Sequence, residues 1–217
     1  METWLRFRWL MLFILMWATA VIFCNIYARG DQPYAETFEE RNRWGVGEDY
    51  EKEGKVENGV YDMLVKADRG IVWSTSGREF GNAVYQVDAT QMEGPLDSGY
   101  GMMIRADETG SFYLLEVSAD GFVWIGRCAD YCDADETVLV NGDWFPSTAV
   151  NTGLEVMNQL QISADNANLT FSVNGQIVGT ATDTTFARGD IGVLVETLGA
   201  GGVRVHFDNF LVTPIEE

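Results

Sequence analysis

Histidine is almost missing from this chain: His206 is the only one in 217 residues. A nucleophilic relay needs an imidazole beside its nucleophile and a third group to orient it. His206 instead alternates with Val205 and Phe207 in a segment that reads as a strand near the C-terminus, so no such relay can be built. Cysteine is also scarce, with three in all, and three do not make a disulfide framework. Cys24 lies in an apolar stretch. Cys128 and Cys132, four apart, fit either a local disulfide in an oxidising compartment or two free thiols. Zinc would require two further soft ligands that the neighbourhood does not supply.

Basic residues are few as well: 14 Lys and Arg stand against 33 Asp and Glu, for a net charge of −19. Beyond Gly30 the counts are 11 against 32, a net of −21. A surface this acidic repels a phosphate backbone, which excludes nucleic acid as a partner. Cations, neutral sugars and basic protein faces stay open. There is no phosphate-cradling glycine loop leading into a helix, no internal repeat and no low-complexity tract.

Long helix-forming stretches are rare, with one exception. Residues Trp9 to Tyr27, WLMLFILMWATAVIFCNIY, carry no ionisable carboxylate or base and follow Arg6 and Arg8. As a helix they reach about 28 Å, close to the ~30 Å hydrocarbon layer. The run is longer than a usual signal-peptide core, and Tyr27-Ala28-Arg29-Gly30 is a poor cleavage site. Cys24 follows the bulky Phe23, which does not suit lipidation. The expectation is an uncleaved, single-pass signal anchor in residues 1–30, in contact with a cell membrane through residues 9–27. The domain is expected on the extracytoplasmic side, although Arg29, Arg41 and Arg43 oppose the charge of Arg6 and Arg8.

What the chain has in quantity is aromatic residues and glycine: twelve Phe, eight Tyr, seven Trp and 23 Gly. Residues 31–58 are polar and acidic, with Trp44-Gly45-Val46-Gly47 as their only apolar knot, and read as a tether. From residue 59 to 217 short alternating runs, twelve between Val60 and Val212, are separated by turn signals such as Asp120-Gly121 and Asn174-Gly175. This predicts an all-β domain of two packed antiparallel sheets.

The runs Tyr100-Gly101-Met102-Met103-Ile104-Arg105-Ala106-Asp107 and Phe112-Tyr113-Leu114-Leu115-Glu116-Val117-Ser118-Ala119-Asp120-Gly121 resemble paired strands of concanavalin A-like lectin/glucanase domains of the laminin G-like group. The likeness continues through Asp143-Trp144, Phe171-Ser172-Val173-Asn174-Gly175, Asp183-Thr184-Thr185-Phe186 and Val205-His206-Phe207-Asp208-Asn209-Phe210, and spans about residues 58 to 213. The resemblance implies a jelly-roll sandwich. It leaves function open, because this fold carries sugar-binding modules, glycosidases and protein-interaction domains.

Catalysis on such a sandwich needs two carboxylates across a sugar cleft. The Glu-x-Asp-x-x-Glu signature of the sandwich glucanases is absent, and Glu116 is the only carboxylate central to a strand, where Arg105 on the preceding strand could pair with it. A non-enzymatic role is therefore expected. Sugar recognition needs flat apolar faces and a few fixed polar groups, and Trp73, Tyr100, Arg105, Tyr113, Glu116, Trp124 and Trp144 supply them. Strand parity, however, places Tyr113 and Glu116 on opposite faces. The acidic loop with Asp130, Asp133 and Asp135 offers oxygen ligands to calcium, which is common in relatives of this fold. No other cofactor is implied. The chain is expected to be a membrane-held carbohydrate-binding module or, alternatively, an accessory subunit of a membrane protein complex, with a glycoside hydrolase as the third reading.

Overall fold

The alternation becomes paired strands in the computed structural model, which describes residues 32–39, 44–132 and 137–215. Among those residues sixteen strands run in chain order: β1 (Tyr34–Glu36), β2 (Gly47–Glu48), β3 (Lys52–Glu57), β4 (Val60–Val65), β5 (Arg69–Phe80), β6 (Ala83–Glu93), β7 (Gly99–Ala106), β8 (Phe112–Ser118), β9 (Phe122–Cys128), β10 (Thr137–Val138), β11 (Phe145–Pro146), β12 (Met157–Asp165), β13 (Asn168–Val173), β14 (Gln176–Thr182), β15 (Gly189–Leu198) and β16 (Val203–Pro214). Among the described residues the one other element is a short turn, Asp130–Cys132, whose residues all have positive φ.

The strands form two antiparallel sheets, as expected. One has nine strands in the order β14-β13-β12-β6-β16-β4-β3-β2 with β1 paired to β16, and the other has seven in the order β10-β9-β8-β7-β15-β5 with β11 paired to β9. Alternate residues of the smaller sheet, such as Met102, Ile104, Leu115, Ile125 and Val193, meet Met63, Tyr85, Val87, Ile162 and Phe207 of the larger one, all at 0 % exposure. Each such burial stabilises by about 1.5–3 kcal/mol, the main force opposing chain entropy. The Asn174-Gly175 signal turns β13 into β14 with both residues at positive φ (50° and 76°), as a two-residue hairpin demands.

The stretch expected to be a tether is largely part of the sandwich, and this corrects the boundary at residue 59. β1 pairs with β16, and β3 pairs along its whole length with β4. Phe38 and Trp44, each 1 % exposed, sit in an aromatic cluster with Tyr61 and Phe210, and Trp44 Nε1 donates to the Tyr34 hydroxyl at 3.2 Å. The sequence hid this because β3 is an edge-region strand whose one apolar side chain is Val56 among Lys, Glu and Gly. Its Gly54 lies where a Cβ would collide with the Tyr61 hydroxyl and the Gly45 carbonyl, so the position that should announce a core face carries no apolar side chain. The membrane span expected at residues 9–27 lies outside the described residues. Among those described, no helix is long and apolar enough to cross a membrane.

Candidate functional site

Cross-strand register divides the sequence-predicted site residues between the two faces of the seven-stranded sheet. Tyr100, Tyr113 and Arg105 belong to the buried interior. Tyr100 is 0 % exposed and its hydroxyl accepts a bond from Asn158 Nδ2 at 3.1 Å. Burial pushes that hydroxyl up to about 12, against the smaller opposing effect of Asn158. Tyr113 donates to Asp183 Oδ1 at 2.6 Å and accepts from the Phe186 N–H at 3.1 Å, which pins the β14–β15 connection to the core.

Arg105 is not the partner of Glu116 that strand order suggested. A bulge separates the pairs Asp190↔Ala106 and Gly192↔Met103, and Arg105 sits in it with φ 54°. The guanidinium is turned into the sandwich end. It donates to the carbonyls of Asn166 and Phe186 at 3.0 Å each, to Asn82 Oδ1 at 3.1 Å and to the Gly81 carbonyl at 3.4 Å. At 1 % exposure it clamps three connections and cannot reach a ligand without unfolding them.

The other four residues lie on the outer face. Trp73, Leu194, Gly101, Glu116 and Trp124 are successive register partners across β5, β15, β7, β8 and β9, and directly opposed residues share a face. Beside this ladder Met103, Phe112, Leu114 and Leu194, all at 0 % exposure, form a second apolar layer with Trp73, Trp144 and Val138 packed against it. β7 and β8 are thus buried on both faces. At one end the layer is closed: a Cβ on Gly99 would lie 2.9 Å from Glu116 Oε1 and 3.1 Å from the Trp144 ring. Glu116 at 1 % and Trp124 at 5 % exposure are packed there.

At the other end the layer opens into a cleft of about 530 Å³, within the usual range for small-ligand sites. Trp73 is its aromatic centre. Phe112 meets it edge-on at 5.4 Å and Tyr131 stacks on it at 6.0 Å with 23° between the planes. Thr75, Glu79, Asp107, Glu108, Arg188 and Asp190 supply the polar lining. Two of these carboxylates are engaged by their own chain. Asp190 accepts bonds from Ser76 Oγ and from the backbone N–H groups of Gly77, Arg78 and Ile191. Asp107 accepts from the hydroxyl and N–H of Thr109 and the N–H of Ser111. Burial would raise the Asp107 carboxyl, but those bonds outweigh it and hold it below the usual carboxylate range.

Tyr131, Phe112, Glu79, Asp107, Glu108, Arg188 and Asp190 were not singled out from the sequence. Of these only Tyr131 had a local signal, its position between Cys128 and Cys132. Those two cysteines are joined by a disulfide. Of the calcium candidates, Asp130 is exposed, whereas Asp133 and Asp135 lie outside the described residues. Among the described residues no group of three or more His, Cys, Asp or Glu is placed to hold a metal ion.

No protein-family model matches the chain, and no curated protein sequence does. Solved structures do. The carbohydrate-binding module CBM66 from Bacillus subtilis superposes with a TM-score of 0.62 at 15 % identity, over 78 % of this chain and 94 % of that one. A β-1,3-1,4-glucanase (lichenase) derived from a mouse hindgut metagenome gives 0.60 at 13 % identity, over 85 % and 100 %. The β-glucanase of Bacillus licheniformis gives 0.57 at 12 %, over 84 % and 98 %. These likenesses establish the concanavalin A-like, galectin-like β-sandwich, a fold shared by a carbohydrate-binding module and by glycoside hydrolases.

Proposed function

We propose that the sandwich is a non-catalytic carbohydrate-binding module that takes a neutral glycan against the Trp73–Tyr131 wall, held at the outer side of a membrane by the apolar segment at residues 9–27. The observation that carries this reading is the stacked ring pair beside fixed polar groups at the open end of the outer face. A pyranose presents an apolar face to an aromatic ring and hydroxyls at its edge, and this cleft offers both kinds of partner.

The lining favours neutral ligands. Glu79, Asp107, Glu108 and Asp190 face one guanidinium, Arg188. A uronate at ~4 Å from one uncompensated carboxylate would lose about 1 kcal/mol in water and about 4 kcal/mol at the effective dielectric of a protein surface. The lining also argues against hydrolysis. A glycosidase needs one carboxyl to donate a proton and another to attack or activate water; Asp107 and Asp190 are held by several donors each, Glu79 lies 3.9 Å from Arg188 Nε and Glu116 is packed beneath the closed end, which leaves Glu108 without a second such group.

The test is affinity electrophoresis of the full-length protein in detergent through gels of neutral β-glucans and, in parallel, polygalacturonate. Retardation by a neutral polymer, weakened about tenfold by Tyr131→Ala and abolished by Trp73→Ala with unaltered far-UV circular dichroism, is expected. Binding that survives both substitutions would place the ligand elsewhere, and release of reducing ends would make the protein an enzyme.

A further inference from the structure

We propose that the Cys128–Cys132 disulfide and Gly110 together position Tyr131 as one wall of the cleft, so that the oxidised protein binds glycan more tightly than the reduced one; the inference rests on the carbohydrate site proposed above. Three consecutive non-glycine residues, Asp130, Tyr131 and Cys132, have φ of 48°, 61° and 61°. L-residues disfavour this left-handed region individually, and a run of three persists only where the surroundings over-determine it.

Among the described residues three backbone N–H bonds hold the turn. The Tyr131 N–H reaches the Gly110 carbonyl at 3.2 Å, the Cys132 N–H reaches the Ala129 carbonyl at 3.1 Å, and the Asp130 N–H reaches Ser111 Oγ at 3.3 Å. No residue of the turn is buried. The remaining constraint is covalent: the disulfide ties Cys132 back to Cys128, which is fully buried at the end of β9.

Gly110 completes the placement from the other side. Its φ is +68°, and a Cβ there would lie 2.7 Å from the Tyr131 ring, so the ring rests where only glycine leaves room. The Tyr131 hydroxyl reaches the Glu108 carbonyl at 3.4 Å, and the ring, although 58 % exposed, lies against Trp73. An exposed tyrosine held this way is part of a preformed surface, and preorganisation spares the ligand the cost of ordering it.

Reduction by a dithiol breaks the S–S bond, consumes two electrons and two protons, leaves two cysteine thiols and turns the reductant into its own disulfide. Cys132 is the half-buried member of the bridge, whereas Cys128 is fully buried. The turn is then free to leave the left-handed region and carry Tyr131 off Trp73, while β9 keeps its pairing to β8.

The experiment compares full-length protein in detergent, oxidised and after dithiothreitol, on gels of mixed-linkage β-glucan, laminarin and glycol chitin. Near-UV circular dichroism reports the Trp73–Tyr131 pair and far-UV dichroism reports the fold. Reduction and the Cys128→Ser/Cys132→Ser variant should each weaken binding about tenfold or more, the scale of losing one aromatic anchor, with the far-UV spectrum unchanged and the near-UV band diminished. Gly110→Ala should do the same with the disulfide intact. In a Tyr131→Ala background reduction should have no further effect, which a merely stabilising disulfide would not produce. Oxidised protein that binds no polymer overturns the carbohydrate reading. Oxidised and reduced proteins that bind equally overturn the gating alone.

Discussion

Arg105 is held as a clamp between three connections and not as a ligand contact, and its replacement tests that role. Replacing it with alanine removes three good charge-assisted bonds, to Asn166, Phe186 and Asn82, and a marginal one to Gly81. Each charge-assisted bond contributes about 1.5–3 kcal/mol, while freeing the side chain returns up to about 2 kcal/mol of rotamer entropy. Water reaches the Asn166 end, so the net loss is about 3–4 kcal/mol. For a domain of this size that lowers the melting temperature by roughly 6–16 °C, at about 2–4 °C per kcal/mol. Arg105→Lys, with a point charge and no planar fork, should fall about midway. Arg105→Gly should be less damaging than Arg105→Ala by about 1 kcal/mol, since the residue sits at φ 54° and glycine removes that backbone cost. Thermal unfolding followed by far-UV dichroism gives all three. A loss below about 1 kcal/mol, or glycan binding abolished with melting unchanged, would refute the clamp and return Arg105 to the site.

Three further outcomes follow from the packing and the charges. Trp44→Ala should destabilise by about 3–5 kcal/mol in urea titration, as befits a core tryptophan and not a tether residue. Burial, seconded by the Asp88 and Glu39 carboxylates, raises the Asp208 carboxyl against the Asn209 N–H; its contribution is present below the unfolded value and lost as pH rises through the folded one. Asp208→Asn should therefore melt higher than the parent at pH ~7 and lose that advantage by pH ~3. Asp183 has the opposite sign: burial raises it, but Thr185, Tyr113 and Arg127 outweigh this and lower it, so its support is present at neutral pH and lost as pH falls through the folded value. Asp183→Asn should cost about 1–2 kcal/mol at pH ~7 and markedly less at pH ~3, by melting at both values.

Where one face of a strand is apolar and the other polar, the sequence was legible. β6 alternates buried and half-buried residues from Ala83 to Gln91, and β12 does so over Asn158–Ala164. Parity also placed Phe112, Leu114 and Glu116 opposite Tyr113, Leu115 and Val117. It failed at Arg105, because a bulge shifts the register there. It failed before residue 59, because β1–β3 lie at or near a sheet edge and need little apolar content to pair. Tyr131 was beyond its reach for a different reason. The ring's position depends on a disulfide and on a glycine twenty-one residues earlier in the chain, and no local period records either.

The outer apolar layer also bears on binding against catalysis. An exposed apolar face of this extent would invite aggregation, so it must be covered by packing or by a ligand. At the Gly99 end it is packed: the Trp144 ring crowds the space above glycine beside Glu116. At the Trp73 end packing stops, and the rings that remain accessible are the ones a ligand can use. Glu116 is thus at the closed end, beside Glu196 of β15, while the open end carries aromatic rings and four carboxylates, of which Asp107 and Asp190 are engaged by their own chain. A glycan lying on Trp73 would meet the polar side chains of the cleft lining at its edge. The packing that covers the outer face at Gly99 also keeps Glu116 out of the open cleft.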